Sequence, residues 1–197
     1  YRAVSAQDYR ALTYQMPGEF GAIKRVNIIK DPDSRKRNLN LYVISEDENE
    51  HLETSNSTVK QNLKTWLNRS RMINDTIDIL DTKIVNFQIT FTVVADLESN
   101  KYEVLNNANL AIAALYAQKQ EIGEPFFITD IYGKLNAVPG VVDTTQVNVI
   151  KISGGLYSTS YFDINEAISP DGRFIRVPEN VILELKYPDD DIRGSVL

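Results

Sequence analysis

The only histidine of the chain, His51, lies in the stretch SEDENEHLETSNST, among Glu46, Asp47, Glu48, Glu50 and Glu53. This is the densest gathering of groups that could bind a metal or move a proton. A zinc site needs a second imidazole or a thiolate, and the chain has one histidine and no cysteine. A calcium loop of the helix-loop-helix type needs a glycine at its sharp turn, and none stands at that position here. The acids therefore read as a solvated connection between a hairpin and a helix.

A second cluster, DPDSRKRN, offers Arg35, Lys36 and Arg37 as a grip for phosphate. Asp31 and Asp33 match those cations, and five acids follow within the next two dozen residues, which argues against a nucleic-acid partner. As the tip of a charged hairpin, Arg35, Lys36 and Arg37 form a candidate protein interface. Tyr187, Asp189, Asp190 and Asp191, in the acidic tail YPDDDIRGSVL, form another. The carboxylates of Asp189 to Asp191 sit on a segment too polar to be buried, where tuning their pKa values for acid-base work is hard to arrange. Gly154-Gly155 lacks the Lys-Ser/Thr of a phosphate loop, and no Gly-x-Ser-x-Gly elbow occurs. Asn-x-Ser/Thr triplets at Asn56, Asn68 and Asn74 carry meaning only for a secreted chain. No catalytic constellation emerges, so no enzyme activity, metal or cofactor is expected.

The composition is that of a folded protein with a core of its own. At 197 residues, with 43% hydrophobic and 24% charged residues and a net charge of -6, nothing demands a polyanionic partner. A chain this long can bury about 70% of its unfolded surface, enough for one large or two small domains. The lack of cysteine fits assembly in a reducing compartment. No apolar run approaches the length that spans a bilayer, and YRAVSAQDYR has no signal-peptide pattern, so no membrane partner is expected. The chain has no initiating Met and opens on a helix entry, which suggests a fragment or a processed product.

The elements that must carry these groups show an internal echo. Ser5, followed three residues later by Asp8, is a reciprocal helix cap, and Tyr9, Leu12 and Met16 then share one helical face. Pro17-Gly18 stops that helix, with Gly18 free to take the positive φ of a turn, and Ile23 to Ile29 alternates as a strand. More than a hundred residues later, Thr129-Asp130 opens a short helix through Ile131 and Leu135. Val138-Pro139-Gly140 closes it, and a strand follows from Val142 or Gln146 to Ile152. Asp8 to Pro17 and Asp130 to Pro139 have the same spacing, and the strands carry VNII and VNVI, which points to one supersecondary unit built twice.

Around the echo lie further elements. Asn38 to Ser45 alternates as a strand that pairs with Ile23 to Ile29. Ser57 opens a helix through Val59, Leu63, Trp66 and Leu67. Thr76 to Leu80 is a short strand, and Lys83 to Ala95 a long one rich in β-branched and aromatic residues. From Asn100 or Lys101 a helix carries Val104, Leu105, Ala108, Ile112, Leu115 and Tyr116 on one side until Gly123. Strand candidates at Leu156 to Ile164, Arg173 to Val177 and Val181 to Lys186 follow, separated by SPDG and Pro178. The fold class is therefore α+β: two small α/β sandwich modules with mixed or antiparallel sheets, 1–82 and 83–153, followed by a β-rich extension and tail, 154–197. The tail YPDDDIRGSVL has too little apolar content to fold alone, and the extension from Gly155 onward is expected to pack against something else, another chain being one candidate.

The opening RAVSAQDYRALTYQMPGEFGAIKRVNII resembles a segment of baseplate wedge proteins of contractile phage tails, the baseplate J-like family and its relative, the wedge scaffold of T-even-type phages. The residues that carry the resemblance are Arg2, Ala3, Val4, Ser5, Asp8, Tyr9, Pro17, Gly18 and Val26. Downstream, NAVPGVVD looks like the family's later module, so the resemblance covers Tyr1 to about Ser153. The long C-terminal segment is closer to the T-even-type scaffold. Members of the family continue N-terminally beyond the point where this chain starts. The resemblance implies a virion structural protein of the tail baseplate, assembled in the host cytoplasm. It implies a homodimer that joins other wedge proteins and links neighbouring wedges around a central hub, and it brings no catalytic residues. The competing expectation is a binding module whose basic hairpin at Arg35 to Arg37 contacts nucleic acid or a surface polysaccharide.

Overall fold

The protein is described by a computed structural model that covers residues 2–34, 37–117 and 120–197. Its chain forms two compact units. The first holds the chain up to Lys83, together with Glu121–Gly123 and Pro178–Ile182. The second holds Ile84–Gln120, Glu124–Val177 and Leu183–Leu197.

The first unit opens with α1 (Ala6–Tyr14). The Ser5 side chain accepts the Asp8 amide hydrogen while the Asp8 carboxylate accepts that of Ser5, so two donors of the first turn are satisfied reciprocally. A single 3₁₀ turn at Gly18–Phe20 leads to β1 (Arg25–Lys30), β2 (Arg37–Glu46), β3 (Leu52–Glu53), α2 (Ser57–Asn68) and β4 (Asp75–Asp81). β1 runs antiparallel to β2, with Arg25 opposite Ile44 and Lys30 opposite Leu39. β4 runs parallel to β2 along its other edge, where β3 adds a short antiparallel pair. Tyr9, Leu12 and Met16 from α1 and Leu63 and Leu67 from α2 close over Val26, Leu41, Val43 and Ile77 of the sheet. Two polar bonds fix the helices on that core. The Trp66 indole donates to the Leu12 carbonyl at 2.9 Å, and the buried Tyr9 hydroxyl donates to Asp75 Oδ2 at 2.6 Å.

In the second unit the central strand is β5 (Lys83–Ala95), flanked by α3 (Lys101–Tyr116), β6 (Phe126–Phe127), α4 (Ile128–Asn136) and β7 (Val141–Ile152). Then come α5 (Ile164–Ala167), β8 (Phe174–Ile175), β9 (Val181–Glu184, of which Leu183 and Glu184 belong to this unit), α6 (Pro188–Asp191) and β10 (Ile192–Val196). β7 lies antiparallel along one edge of β5 and β10 lies parallel along the other. Phe87, Ile89, Phe91 and Val93 point to the buried face, because strand side chains alternate, and Val104, Ala108 and Ile112 of α3 and Ile131 and Leu135 of α4 are likewise buried. The opposite face carries Thr90, Thr92, Gln146, Asn148 and Ser195, with the Thr92 and Ser195 hydroxyls 2.8 Å apart. β6 and β8 form a separate two-stranded ribbon.

The architecture is α+β, with parallel and antiparallel pairs in each of the larger sheets. Both echoed stretches fold as a helix, a Pro-Gly turn and an edge strand. They differ in their glycines: Gly140 takes φ +86°, whereas in the first stretch Gly21 rather than Gly18 takes the positive value, φ +108°.

Three elements differ from the sequence-based expectations. Leu156 to Ile164 forms no strand. The Ser158 amide hydrogen is captured by Asn86 Oδ1, the Ser158 and Ser160 side chains bond locally, and Asp163 caps α5, so the polar groups of this segment find partners other than a ladder. The long helix stops at Tyr116, whose ring stacks on Phe126 and meets Phe87 edge-on, instead of continuing to Gly123. The tail, read from sequence as a polar segment and not as a strand, supplies β10 to the second unit's own sheet. Gly194 makes this possible, because a Cβ there would stand 2.5 Å from the Phe91 ring and 2.6 Å from Leu105.

Candidate interaction surface

Of the residues proposed from sequence as a protein interface, Arg35 and Lys36 lie outside the described residues, and Arg37 is described only as the first backbone position of β2. The base of their hairpin is firmly built. The Asp31 amide donates to the Asn38 carbonyl at 2.9 Å, Asp31 Oδ1 accepts the Asp33 amide hydrogen, and Asn38 Nδ2 donates to Asp31 at 3.2 Å and to Asp78 at 3.0 Å. Asp31 is thus occupied in shaping the turn.

The acidic stretch around His51 is a turn as well. Asp47 Oδ1 accepts the amide hydrogens of Asn49 and His51, each at 2.8 Å, and the bond from His51 is the main reason its carboxyl lies below the usual range. No group of three or more potential metal ligands occurs among the described residues.

In the tail, Asp189 and Asp190 are exposed, but Asp191 is buried, with 2% of its surface accessible. Its two oxygens accept from the Tyr157 hydroxyl at 2.7 Å and the Tyr187 amide at 3.0 Å. Donation to Asp191 pushes the Tyr157 hydroxyl up to about 12. The Tyr157 and Tyr187 rings meet edge-to-face at 5.6 Å, and the Lys186 ammonium lies 5.6 Å from the centre of the Tyr187 ring. Asp191 therefore clasps α6 to the loop at 157 and is no free surface group. The sequence offered no signal for this clasp, since its halves lie 34 positions apart.

Sheet edges are other surfaces through which a neighbour can be met, because an edge strand presents unpaired amides and carbonyls. β1 and β7 are edge strands, and each has one outward amide covered by a tyrosine from the preceding helix. The Tyr14 hydroxyl accepts from Val26, and the Tyr132 hydroxyl accepts from Val147, both at 3.2 Å. Burial, followed by the charge of Glu121, raises the pKa of the Tyr14 hydroxyl.

The sequence did not single out the exposed apolar groups. At one end of the second unit Leu97 is fully exposed, Tyr102 is 86% exposed and Val142 is 65% exposed. The available signal was an apolar residue, Leu97, between two acids in a turn that had no core position to fill.

No family model matches the chain, and no curated protein matches it. Among solved structures it is similar to a chain in the cryo-EM structure of the anti-feeding prophage (AFP) baseplate, determined with six-fold symmetrisation. The TM-score is 0.55 at 11% sequence identity, over 94% of this chain and 38% of that one. This chain therefore spans less than two thirds of that baseplate chain's length, and what the likeness shows is a shared fold.

Proposed function

We propose that the chain is a structural, non-enzymatic component of a contractile phage-tail baseplate. In that role it associates with itself and with other wedge proteins, ties neighbouring wedges around the central hub, resides in the virion tail and is assembled in the host cytoplasm. The observation that carries this reading is the fold likeness over 94% of the chain to a chain of the anti-feeding prophage baseplate. The likeness reaches well past the opening segment that resembles wedge proteins. Within the chain, two units that each present an edge strand suit a subunit that must hold more than one neighbour.

Analytical ultracentrifugation tests the self-association. A stable dimer is expected, with an interface above about 1,000 Å². A monomer at high concentration would remove dimerisation from the proposal.

A further inference from the structure

The turn after β5 presses against the Pro139-Gly140 turn. The Asp96 amide donates to the Gly140 carbonyl at 2.9 Å, and a Cβ on Gly140 would stand 2.9 Å from Ser99 Oγ. This contact brings the 96–99 turn, the first turn of α3 and the start of β7 to one end of the second unit. On these segments Leu97, Tyr102 and Val142 are exposed large apolar side chains. Leaving such side chains in water is costly, and apolar groups gathered at one end of a unit among polar ones suit an interaction site.

The rim says what kind of partner fits. Along the segments 96–103 and 141–143, Asp96, Glu98, Glu103 and Asp143 are all exposed, against one exposed cation, Lys101. A second copy docked on the same patch would set carboxylates against carboxylates, a like-charge juxtaposition that disfavours association. A partner with apolar side chains at its centre and Lys or Arg around them meets both features. We infer that this end of the second unit docks a neighbouring polypeptide that presents an apolar segment flanked by basic residues. The assignment deepens the assembly role proposed above by naming the chemistry of one partner.

The test is an NMR titration of the isotope-labelled full chain with two synthetic amphipathic peptides, one of Leu and Lys and one of Leu and Glu. The Leu/Lys peptide is expected to shift the amides of residues 96–103 and 141–143, to lose affinity as salt rises, and to bind the double variant Leu97→Ser/Tyr102→Ser about tenfold more weakly or worse. Both side chains are solvent-exposed, so the variant should fold as the parent does, which its unchanged amide spectrum away from the patch would confirm. Equal or tighter binding of the Leu/Glu peptide, shifts confined to other parts of the chain, or full affinity in the double variant would overturn the assignment. So would self-association of the parent chain that the double variant abolishes, since the occupant would then be a second copy. None of these outcomes bears on whether the chain belongs to a baseplate, which particle composition decides separately.

Discussion

The hydroxyl of Tyr132 in α4 accepts the amide hydrogen of Val147 in β7 at 3.2 Å, and Tyr14 in α1 does the same for Val26 in β1. In both places the helix precedes a Pro-Gly turn, the strand is an edge, and the valine opens the Val-Asn pair shared by the two echoed strands. An outward edge amide is a template for unwanted strand pairing, and covering it from the preceding helix limits that risk.

Replacing either tyrosine by Phe should therefore expose one strand amide and cost about 0.5–1.5 kcal/mol of stability. Hydrogen exchange is the sensitive readout. The Val147 amide in Tyr132→Phe, and the Val26 amide in Tyr14→Phe, should exchange faster than in the parent while neighbouring core amides change little.

Gly194→Val should loosen the C-terminal strand. The added side chain meets Phe91 and Leu105 inside ordinary contact distance, and overpacking of this kind costs about 1–3 kcal/mol. Denaturant unfolding measures the loss, and limited proteolysis should release residues of β10 before the rest of the second unit. Parent-like resistance would mean that the strand has room the structure does not show.

Much of this architecture was legible in the chain, and the reasons are local. Ser5 and Asp8 announce a capping box, the Asp-Pro-Asp turn between alternating runs announces the β1–β2 hairpin, and Lys83 to Ala95 is a 13-residue run rich in β-branched and aromatic residues. What was missed depends on distant partners. The stretch Ile192–Val196 is too short and polar to declare itself a strand until β5 offers an edge and Gly194 lets Phe91 close over it. Asp191 reads as a surface acid until Tyr157 and Tyr187 bury it. The basic hairpin is legible as a charge cluster, but only composition speaks to what it contacts.

Asn86→Ala should break a buried joint. The Asn86 amide donates to Glu184 Oε2 at 2.9 Å and its carbonyl accepts the Ser158 amide at 2.7 Å, with Asn86 and Glu184 1% and 6% exposed. Stripping buried polar groups of a partner costs roughly 1–3 kcal/mol. Calorimetric or denaturant unfolding should register it, with increased amide exchange around Ser158.

The Tyr157–Asp191 clasp predicts a loss of stability in alkali. The folded-state pKa of Tyr157, about 12, stands above the ordinary value of 10.0, so its contribution is complete below pH 10.0 and declines as pH rises through about 12. Spectrophotometric titration should show several late-titrating tyrosines, of which Tyr157→Phe removes the one near 12, and the variant should show a flatter stability profile over that window. Loss of a tyrosine that titrates near the ordinary 10.0, with the late part of the curve unchanged, would contradict the clasp.

The baseplate role itself is tested most directly by cryo-EM of the intact particle from the source of this chain. The account predicts density for both units at the tail baseplate, repeated around the central hub and in contact with wedge proteins. A complete contractile baseplate resolved without this chain, or the chain located elsewhere in the particle, would contradict it.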